Sequence, residues 1–370
     1  MRPGNQVKDL AAKLGDDGAN LVHTYVKIDS DNTITAIIPH SEMGQGVHTA
    51  LGQMLAEELD ADWDQLKLEE APAIGEYAMY AAGRRYLLTG IDFPKLVIPT
   101  VDGMMMRVAD TLNMQITGGS MSVRTTGILA MRTAGAATRQ LLQQAAAEAW
   151  DVPVEEIATE KSHLIHAASN RREPYASFAA DVAEMTPSYT PTFKDPADYK
   201  IVGTHKPRRD IPAKVDGSLK FAMDVQLPNM LYATVVRSPV PGGSVVELDD
   251  SVARSVEGVV DVIVIPATTV SSMLGDTVSA ETVAVVADSY WSASKGLKEL
   301  KVQWSEVGFE TVSSDGIFEQ FNRDISASAE RQTDHVQGEA SSVFAGAAKV
   351  VDADYHLSLI HISEPTRRTP

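Results

Sequence analysis

Cysteine is absent from this 370-residue chain. The absence excludes disulfide bonds, thiolate zinc sites and cysteine-ligated iron–sulfur clusters within the chain. If the protein carries out redox chemistry, its electrons must therefore leave through a bound cofactor and another subunit.

Positive charge is also scarce. The chain has 32 lysine and arginine residues against 50 aspartate and glutamate residues, which gives a formal net charge of -18. This balance argues against a nucleic-acid partner and against binding to an anionic membrane surface.

Long apolar runs are missing as well. No stretch of about eighteen apolar residues is present, so the sequence predicts no transmembrane helix. Residues 1–20 include basic residues but no apolar signal core. We therefore expect either a cytoplasmic protein or a periplasmic one whose export signal lies outside this sequence.

A glycine-rich loop is the first candidate site, at Glu42-Met43-Gly44-Gln45-Gly46-Val47-His48-Thr49. Strand-like residues precede it, and a helical spacing of apolar residues follows it. The first N–H groups of such a helix suit a phosphate or another anion, and the Gln45 amide can both donate and accept. A glycine-rich turn without a ligand explains the spacing equally well.

A second loop of similar character precedes a segment rich in alanine and leucine that runs to Trp150. It reads Thr117-Gly118-Gly119-Ser120-Met121-Ser122. Serine and threonine are ordinary helix N-caps, yet two such loops in one chain favour a shared anionic ligand. Arg124, Arg132 and Arg139 follow at spacings that favour one helical face, either as phosphate ligands or as a solvated stripe. Gly127 and Gly135 disfavour a single unbroken helix, or at least make it less stable.

The alternation of elements predicts an α+β fold. Strands are expected at residues 22–28, 34–38, 66–70, 230–237, 259–265, 282–287, 301–304 and 350–356, and a hairpin at residues 158–167. Residues 71–116 read as loop-rich with short helical pieces. Three prolines mark residues 186–198 as a linker. Two histidines, His163 and His166, fall on opposite sides of a strand, so no metal site is assigned.

The chain resembles the molybdenum-binding large subunit of the xanthine dehydrogenase/aldehyde oxidoreductase family, of the isoquinoline 1-oxidoreductase beta-subunit type. The resemblance covers roughly residues 22–356, and its motifs occur in the family's order. Besides the two loops, the matching stretches are Ala56-Glu57-Glu58-Leu59-Asp60, Arg132-Thr133-Ala134-Gly135-Ala136, Arg209-Asp210-Ile211-Pro212-Ala213-Lys214-Val215-Asp216-Gly217 and Asp224-Val225-Gln226-Leu227-Pro228-Asn229-Met230-Leu231-Tyr232-Ala233.

The resemblance implies a molybdenum hydroxylase that oxidises an aldehyde or an N-heterocycle with oxygen from water. Its cofactor is a molybdenum-bearing molybdopterin, expected in the cytosine dinucleotide form. Electrons would pass to a small subunit with two [2Fe–2S] clusters and then to a cytochrome c subunit. By motif, Gly44, Gln45 and Gly46 would contact the pterin. The second loop would contact the phosphates or the pterin edge through Thr117, Gly118, Gly119, Ser120 and Ser122.

The same resemblance implies a domain order. Residues 1–21 are a lead-in and residues 22–185 a segment of the cofactor-binding domain. Residues 199–306 form an α/β hammerhead domain, and residues 307–356 begin a further cofactor-binding domain. Residues 357–370 resemble translated sequencing-adapter sequence rather than a native tail.

No catalytic residue is assigned. The family's Gly-Val-Gly-Glu motif, whose glutamate is the catalytic base, is not found in this chain, so we expect the chain to be inactive alone. Glu42 flanks the first loop and is a candidate acid or base; the favoured interpretation is a solvated carboxylate or one at a helix N-terminus, which the helix dipole stabilises. The alternative function is a non-catalytic binding or scaffold protein that keeps the glycine loops as structural turns.

Overall fold

The computed structural model describes residues 10–11, 20–79, 91, 93–111, 115–188, 190–272, 275–305, 307–308, 311–326 and 337–357. The chain divides into two compact units, Met1–Phe221 and Ala222–Pro370. Within the described residues, no helix has the length and apolar character needed to cross a membrane. Both units combine helices with sheets, so the predicted α+β class is confirmed.

The first sheet has the order β1-β2-β3-β4. Its strands are β1 (Asn20–His23), β2 (Val26–Ile28), β3 (Ile34–Ile38) and β4 (Lys67–Glu70). The first three pair antiparallel, whereas β3 and β4 run parallel and are joined through α1 (Val47–Leu59). Every residue of β3 is buried, and since side chains alternate between the two faces of a sheet, both faces are covered at this strand. The single strand expected at 22–28 is instead a hairpin that turns at residues 24–25.

A long helical segment packs against α1. It consists of α3 (Gly119–Ser122), a π-helical stretch (Val123–Met131) and α4 (Arg132–Trp150), which follow one another directly. A separate helix, α2 (Ile98–Thr111), lies upstream in the chain. The helical segment continues through both glycines, with π-helical geometry around Gly127 and α-helical geometry around Gly135. A Cβ on Gly135 would lie 2.5 Å from the carbonyl oxygen of Leu55, so glycine here permits the close approach of α1 rather than breaking the helix.

The loop-rich prediction for residues 71–116 is wrong in part, because α2 has fourteen residues. Proline 99 lies in the first turn of this helix, where its missing N–H costs no hydrogen bond. Most of the stretch before it, residues 80–90, lies outside the described residues.

The remainder of the first unit is a meander with two short helices. The elements are β5 (Ile157–Glu160), β6 (His163–His166), β7 (Arg171–Pro174), α5 (Ala179–Glu184) and α6 (Ile211–Val215). The hairpin predicted at 158–167 is confirmed by the antiparallel β5–β6 pair.

Buried charges attach residues 194–202 to α1. Glu57 is 1% exposed and accepts backbone N–H groups of Lys200, Ile201 and Val202. Lys194 pairs with Glu57 and Asp60. Residues 194–202 therefore belong to the first unit, although the sequence predicted that residues 186–198 form a linker. The assignment of the domains stays a prediction.

The second unit contains the three-stranded antiparallel sheet β10-β13-β8 with a helix on one face. Its elements are β8 (Tyr232–Arg237), β9 (Val245–Asp249), α7 (Ser251–Arg254), β10 (Val259–Ile265), β11 (Thr269–Ser272), β12 (Gly275–Val278), β13 (Thr282–Ala287), α8 (Tyr290–Lys298), β14 (Lys301–Trp304), α9 (Ser314–Ser326) and α10 (Ala340–Gly346). The strands predicted at 230–237, 259–265, 282–287 and 301–304 are confirmed.

The strand predicted at 350–356 is wrong. The described residues 350–357 form no ladder, and Val351 and Tyr355 are 78% and 83% exposed. A strand needs a neighbour for its backbone hydrogen bonds, and no described strand lies beside this segment. Of the tail 357–370, only Leu357 is described, so the adapter interpretation lies outside the described residues.

Candidate functional site

The first glycine loop connects β3 to α1, as the sequence predicted. Gly44 and Gly46 have φ values of +101° and +80°, a backbone conformation that side chains with a Cβ rarely adopt. An added Cβ at either glycine would meet no atom within 4 Å. The loop therefore depends on glycine for its backbone conformation and not for space.

Glu42 occupies the N-terminus of α1. Its Oε1 accepts the N–H groups of Gly44 and Gly46, each at 2.9 Å, and its Oε2 accepts the N–H of His48 at 3.2 Å. Burial raises the pKa of Glu42, but these bonds and the nearby Arg208 lower it further, so the net shift is downward. The interpretation of Glu42 as a helix N-terminal carboxylate is confirmed. The N–H groups predicted to bind an external anion are bonded to this side chain.

Gln45 is exposed at the crest of the loop. Its Oε1 accepts the N–H of Met43 at 2.6 Å, and its Nε2 donates to the carbonyl of Ser41 at 2.9 Å. A primary amide has two N–H donors and two oxygen lone pairs. The side chain therefore retains one donor and one acceptor for a ligand.

The second loop leads directly into α3. Gly118 donates its N–H to the hydroxyl of Ser122 at 3.0 Å, and Ser122 is fully buried. Thr117 is half-buried and Ser120 is exposed. Since the first N–H groups of a helix have no partner inside it, those that begin at Gly119 are the donors this loop offers.

The two loops meet in the structure. Ser41 donates its N–H to Thr117 Oγ1 at 2.9 Å, and the neighbouring His40 ring bonds Thr126 Oγ1 through Nε2 at 2.8 Å. His40 is buried, and burial lowers its pKa to about 4, so its imidazole is neutral at pH 7. The fold thus brings together two loops that are more than seventy residues apart in the sequence.

A cleft of about 360 Å³ adjoins the first loop. Charged and polar groups line part of it, and the aliphatic side chains of Leu68 and Leu219 line another part. Ser41 connects the cleft to the loops, since its hydroxyl donates to Glu70 Oε1 at 2.6 Å. Sequence reasoning did not single out Glu70 or Arg208 as site residues. For Arg208, the signal was its position next to the Arg209–Gly217 motif.

Two of the three arginines on the long helix fit neither predicted alternative. Arg132 donates through Nε and Nη2 to Glu58, which is fully buried, and lies over the ring of Phe193. Arg139 donates to the carbonyl of Thr192 at 3.1 Å. These two arginines hold the chain that crosses the helices, so they are structural. Arg124 is exposed.

The strand histidines also make structural contacts. His166 is buried and bonds Ser169 through Nδ1 and Glu156 through Nε2, at 2.7 and 2.8 Å. Across the described ranges, no cluster of three or more histidine, cysteine, aspartate or glutamate residues is arranged to hold a metal ion.

Comparison with known proteins identifies the family. The family model described as molybdopterin cofactor-binding domain matches residues 7–82. The chain is 31% identical over 279 residues to the beta subunit of isoquinoline 1-oxidoreductase from Brevundimonas diminuta, covering 66% of this chain and 32% of that protein. It is 27% identical over 300 residues to a nicotinate dehydrogenase subunit of Pseudomonas putida, covering 76% of this chain and 20% of that protein. The chain belongs to the molybdopterin-binding xanthine dehydrogenase family.

The similarity covers only part of each relative. The chain spans about a third or less of the length of these two curated relatives. The match to the family model includes the first loop and α1 but ends before the second loop. Among solved structures, a Cu,Mo-containing carbon monoxide dehydrogenase aligns over 28% of this chain and 15% of that chain, at 23% identity and a TM-score of 0.22, too weak a likeness to bear on the fold.

Proposed function

We propose that this chain is part of the molybdopterin-binding subunit of a molybdenum hydroxylase, and that its two glycine loops hold one cofactor between them. The observation that carries the proposal is the 2.9 Å hydrogen bond from the Ser41 N–H to Thr117 Oγ1. This bond joins the first loop, which lies inside the residues matched by the family model, to the second loop, which lies beyond them. Two loops in contact can bind the same ligand.

The hydrogen-bond partners indicate which part of the cofactor each loop would contact. The N–H groups of Gly44 and Gly46 are bonded to Glu42, so the first loop offers mainly the exposed Gln45 amide, which suits the polar edge of a pterin. The second loop offers the Ser120 hydroxyl and the first-turn N–H groups of a helix, which suit phosphate. Both loops fit the cofactor, each through a different kind of donor.

We propose that the complete protein oxidises an aldehyde or an N-heterocycle with oxygen from water. The names of two relatives, an isoquinoline oxidoreductase and a nicotinate dehydrogenase, support the N-heterocycle class. The bound molybdenum–pterin group would supply the redox centre. This chain would bind and orient that group.

Partner subunits and the form of the cofactor belong to the same proposal. A small subunit with [2Fe–2S] clusters would receive the electrons, with a cytochrome c subunit after it, because this chain has no cysteine to hold a cluster. The proposal also includes the cytosine dinucleotide form of the cofactor and a periplasmic or cytoplasmic location. Its domain order is a cofactor-binding segment (residues 22–185), a hammerhead domain (residues 199–306) and the start of a further cofactor-binding domain (residues 307–356).

The test is cofactor content in the full-length protein, co-expressed with its partner subunits in a host that makes the molybdenum cofactor. Gln45→Ala removes a polar contact worth about 1.5 kcal/mol, so affinity for the cofactor should fall about tenfold. Molybdenum and pterin per protein are measured after exhaustive dialysis. Gln144→Ala is the matched control, because Gln144 is bonded to Glu148 on the exposed face of α4. Equal molybdenum content in the Gln45→Ala variant and the wild type would count against the proposal.

A second function is favoured by one observation. The Glu42 carboxylate already bonds the N–H groups at the start of α1, as a purely structural turn would require. A non-catalytic binding or scaffold protein would show this arrangement. Such a protein would form a folded, metal-free complex in the same host, whereas the hydroxylase would contain molybdenum.

A further inference from the structure

We propose that Glu42 and Arg208 form a positioning pair that holds Gln45 at the cofactor. The inference rests on the proposed function and adds two residues to it. Neither residue contacts the cofactor in this proposal; each acts through the backbone of the first loop.

Packing does not hold the crest of this loop. An added Cβ at Gly44 or Gly46 would meet nothing within 4 Å, and Met43 is 70% exposed. Hydrogen bonds must therefore define where Gln45 lies. Gln45 bonds the loop backbone itself, through the Met43 N–H and the Ser41 carbonyl. The largest set of backbone bonds ends on one carboxylate, since Glu42 accepts three N–H groups of the loop and of the first turn of α1.

Arg208 holds that carboxylate from the opposite side. Its Nη2 donates to Glu42 Oε1 at 3.1 Å, and its Nη1 donates to the carbonyl of Gly44 at 2.6 Å. One guanidinium thus contacts both the carboxylate at the centre of the loop and the backbone at its crest. A lysine has no planar fork and would make only one of these contacts well.

Asp210 fixes the guanidinium in turn. It accepts from Arg208 Nε at 3.0 Å and also pairs with Lys214. The hydrogen bond from Arg208 and the pairing with Lys214 keep the pKa of Asp210 far below its ordinary value, despite partial burial. The chain of contacts therefore runs from residues 208–214 through Glu42 to the loop, all within the first unit.

The Glu42–Arg208 pair gives a role to the family-like motif Arg209–Gly217, which neither glycine loop explains. The stretch Arg209–Gly217 is one of the family-like motifs, and the structure places it beside the first loop, with Asp210 bonded to Arg208 and Lys214 paired with Asp210. Segment 208–214 is thus an external support for the loop. Its removal should loosen the loop without unfolding α1, because the core residues Leu51, Leu55 and Leu59 stay buried.

The experiment measures amide hydrogen exchange in the full chain, in peptides that span residues 43–48 and 51–59. Arg208→Gln removes a charge-assisted contact worth about 1.5 kcal/mol, so exchange in 43–48 should quicken about tenfold while 51–59 keeps its protection. Arg208→Lys should give an intermediate rate. Millimolar guanidinium should partly restore protection in Arg208→Ala. Arg209→Gln is the matched control, because Arg209 contacts Trp63 and not the loop.

Molybdenum content of the co-expressed complex is the second readout. A loosened loop in Arg208→Gln together with a several-fold loss of molybdenum supports the positioning role. Unchanged exchange in residues 43–48 overturns it, and so does a loosened loop that keeps its full molybdenum content. A wild-type complex without molybdenum refutes the proposed function instead, so the two failures are distinguishable.

Discussion

Replacing Gly135 by alanine tests how closely α1 and α4 approach each other. The added Cβ would lie 2.5 Å from the Leu55 carbonyl oxygen and 3.1 Å from Glu58 Cβ. An ordinary C–H···O contact needs about 3.3 Å, so one helix backbone must move by roughly 0.8 Å. A carbonyl inside a helix cannot rotate away as a side chain can.

The expected cost follows from two opposing terms. Overpacking against a backbone carbonyl that cannot move aside lies in the upper part of the usual range, about 2–3 kcal/mol, and the better helix propensity of alanine returns about 1 kcal/mol. We expect Gly135→Ala to destabilise the folded chain by about 1–2 kcal/mol. The position is sensitive because Glu58, beside it, is fully buried and bonded to Arg132.

Urea denaturation of the intact chain, followed by circular dichroism, measures the effect. Two other glycines serve as references. At Gly103, inside α2, an added Cβ meets nothing within 4 Å, so Gly103→Ala should stabilise by about 0.5–1 kcal/mol. At Gly127 the added Cβ meets the flexible Met54 thioether, so Gly127→Ala should cost less than Gly135→Ala. A Gly135→Ala variant as stable as wild type would refute the close crossing of the helices.

Two further predictions concern buried ionisable side chains. Lys194→Met leaves Glu57 and Asp60 without their cation; since breaking a buried ion pair costs about 3 kcal/mol, the urea midpoint should fall sharply, and an unchanged midpoint would contradict the network. Burial lowers the pKa of His40 to about 4 and that of His23 to about 3, whereas unfolded imidazoles titrate near 6.5. The unfolded state therefore binds more protons below pH 6.5, and stability should be full above that pH and fall by up to roughly 3 kcal/mol per histidine as the pH drops towards 4. Urea midpoints at pH 7.5, 6 and 5 check this; equal midpoints at pH 7.5 and 5 would contradict neutral buried histidines.

The secondary structure was predictable where local pattern and burial agree. β3 and β13 are apolar runs bounded by turn residues, and α1 repeats leucine at helical spacing, so these elements were predicted with close boundaries. The continuity of the helical segment through Gly127 and Gly135 was not predictable, because helix propensity describes an isolated helix. In the protein, the packing of α1 outweighs the cost of the glycines.

The candidate site was predictable only in part. Two glycine loops ahead of helices were visible, and their positions at helix starts are confirmed. Their contact through Thr117 was a hypothesis that the sequence could not establish, because the two loops are far apart along the chain. The sequence placed the Glu42 carboxylate at the helix start but could not predict its bonds to the loop or the role of Arg208, since such a carboxylate can face water, a ligand or its own loop.

By itself, the sequence determined the residues with special backbone freedom, the absence of any thiol ligand and the order of most strands and helices. Those properties depend on each residue and its near neighbours. The tertiary structure decided which partner each polar group takes: Glu42 for the loop N–H groups, Glu58 for Arg132 and Thr117 for Ser41. A donor bonds whichever acceptor the fold brings within about 3 Å, and that choice is made by distant parts of the chain packing together.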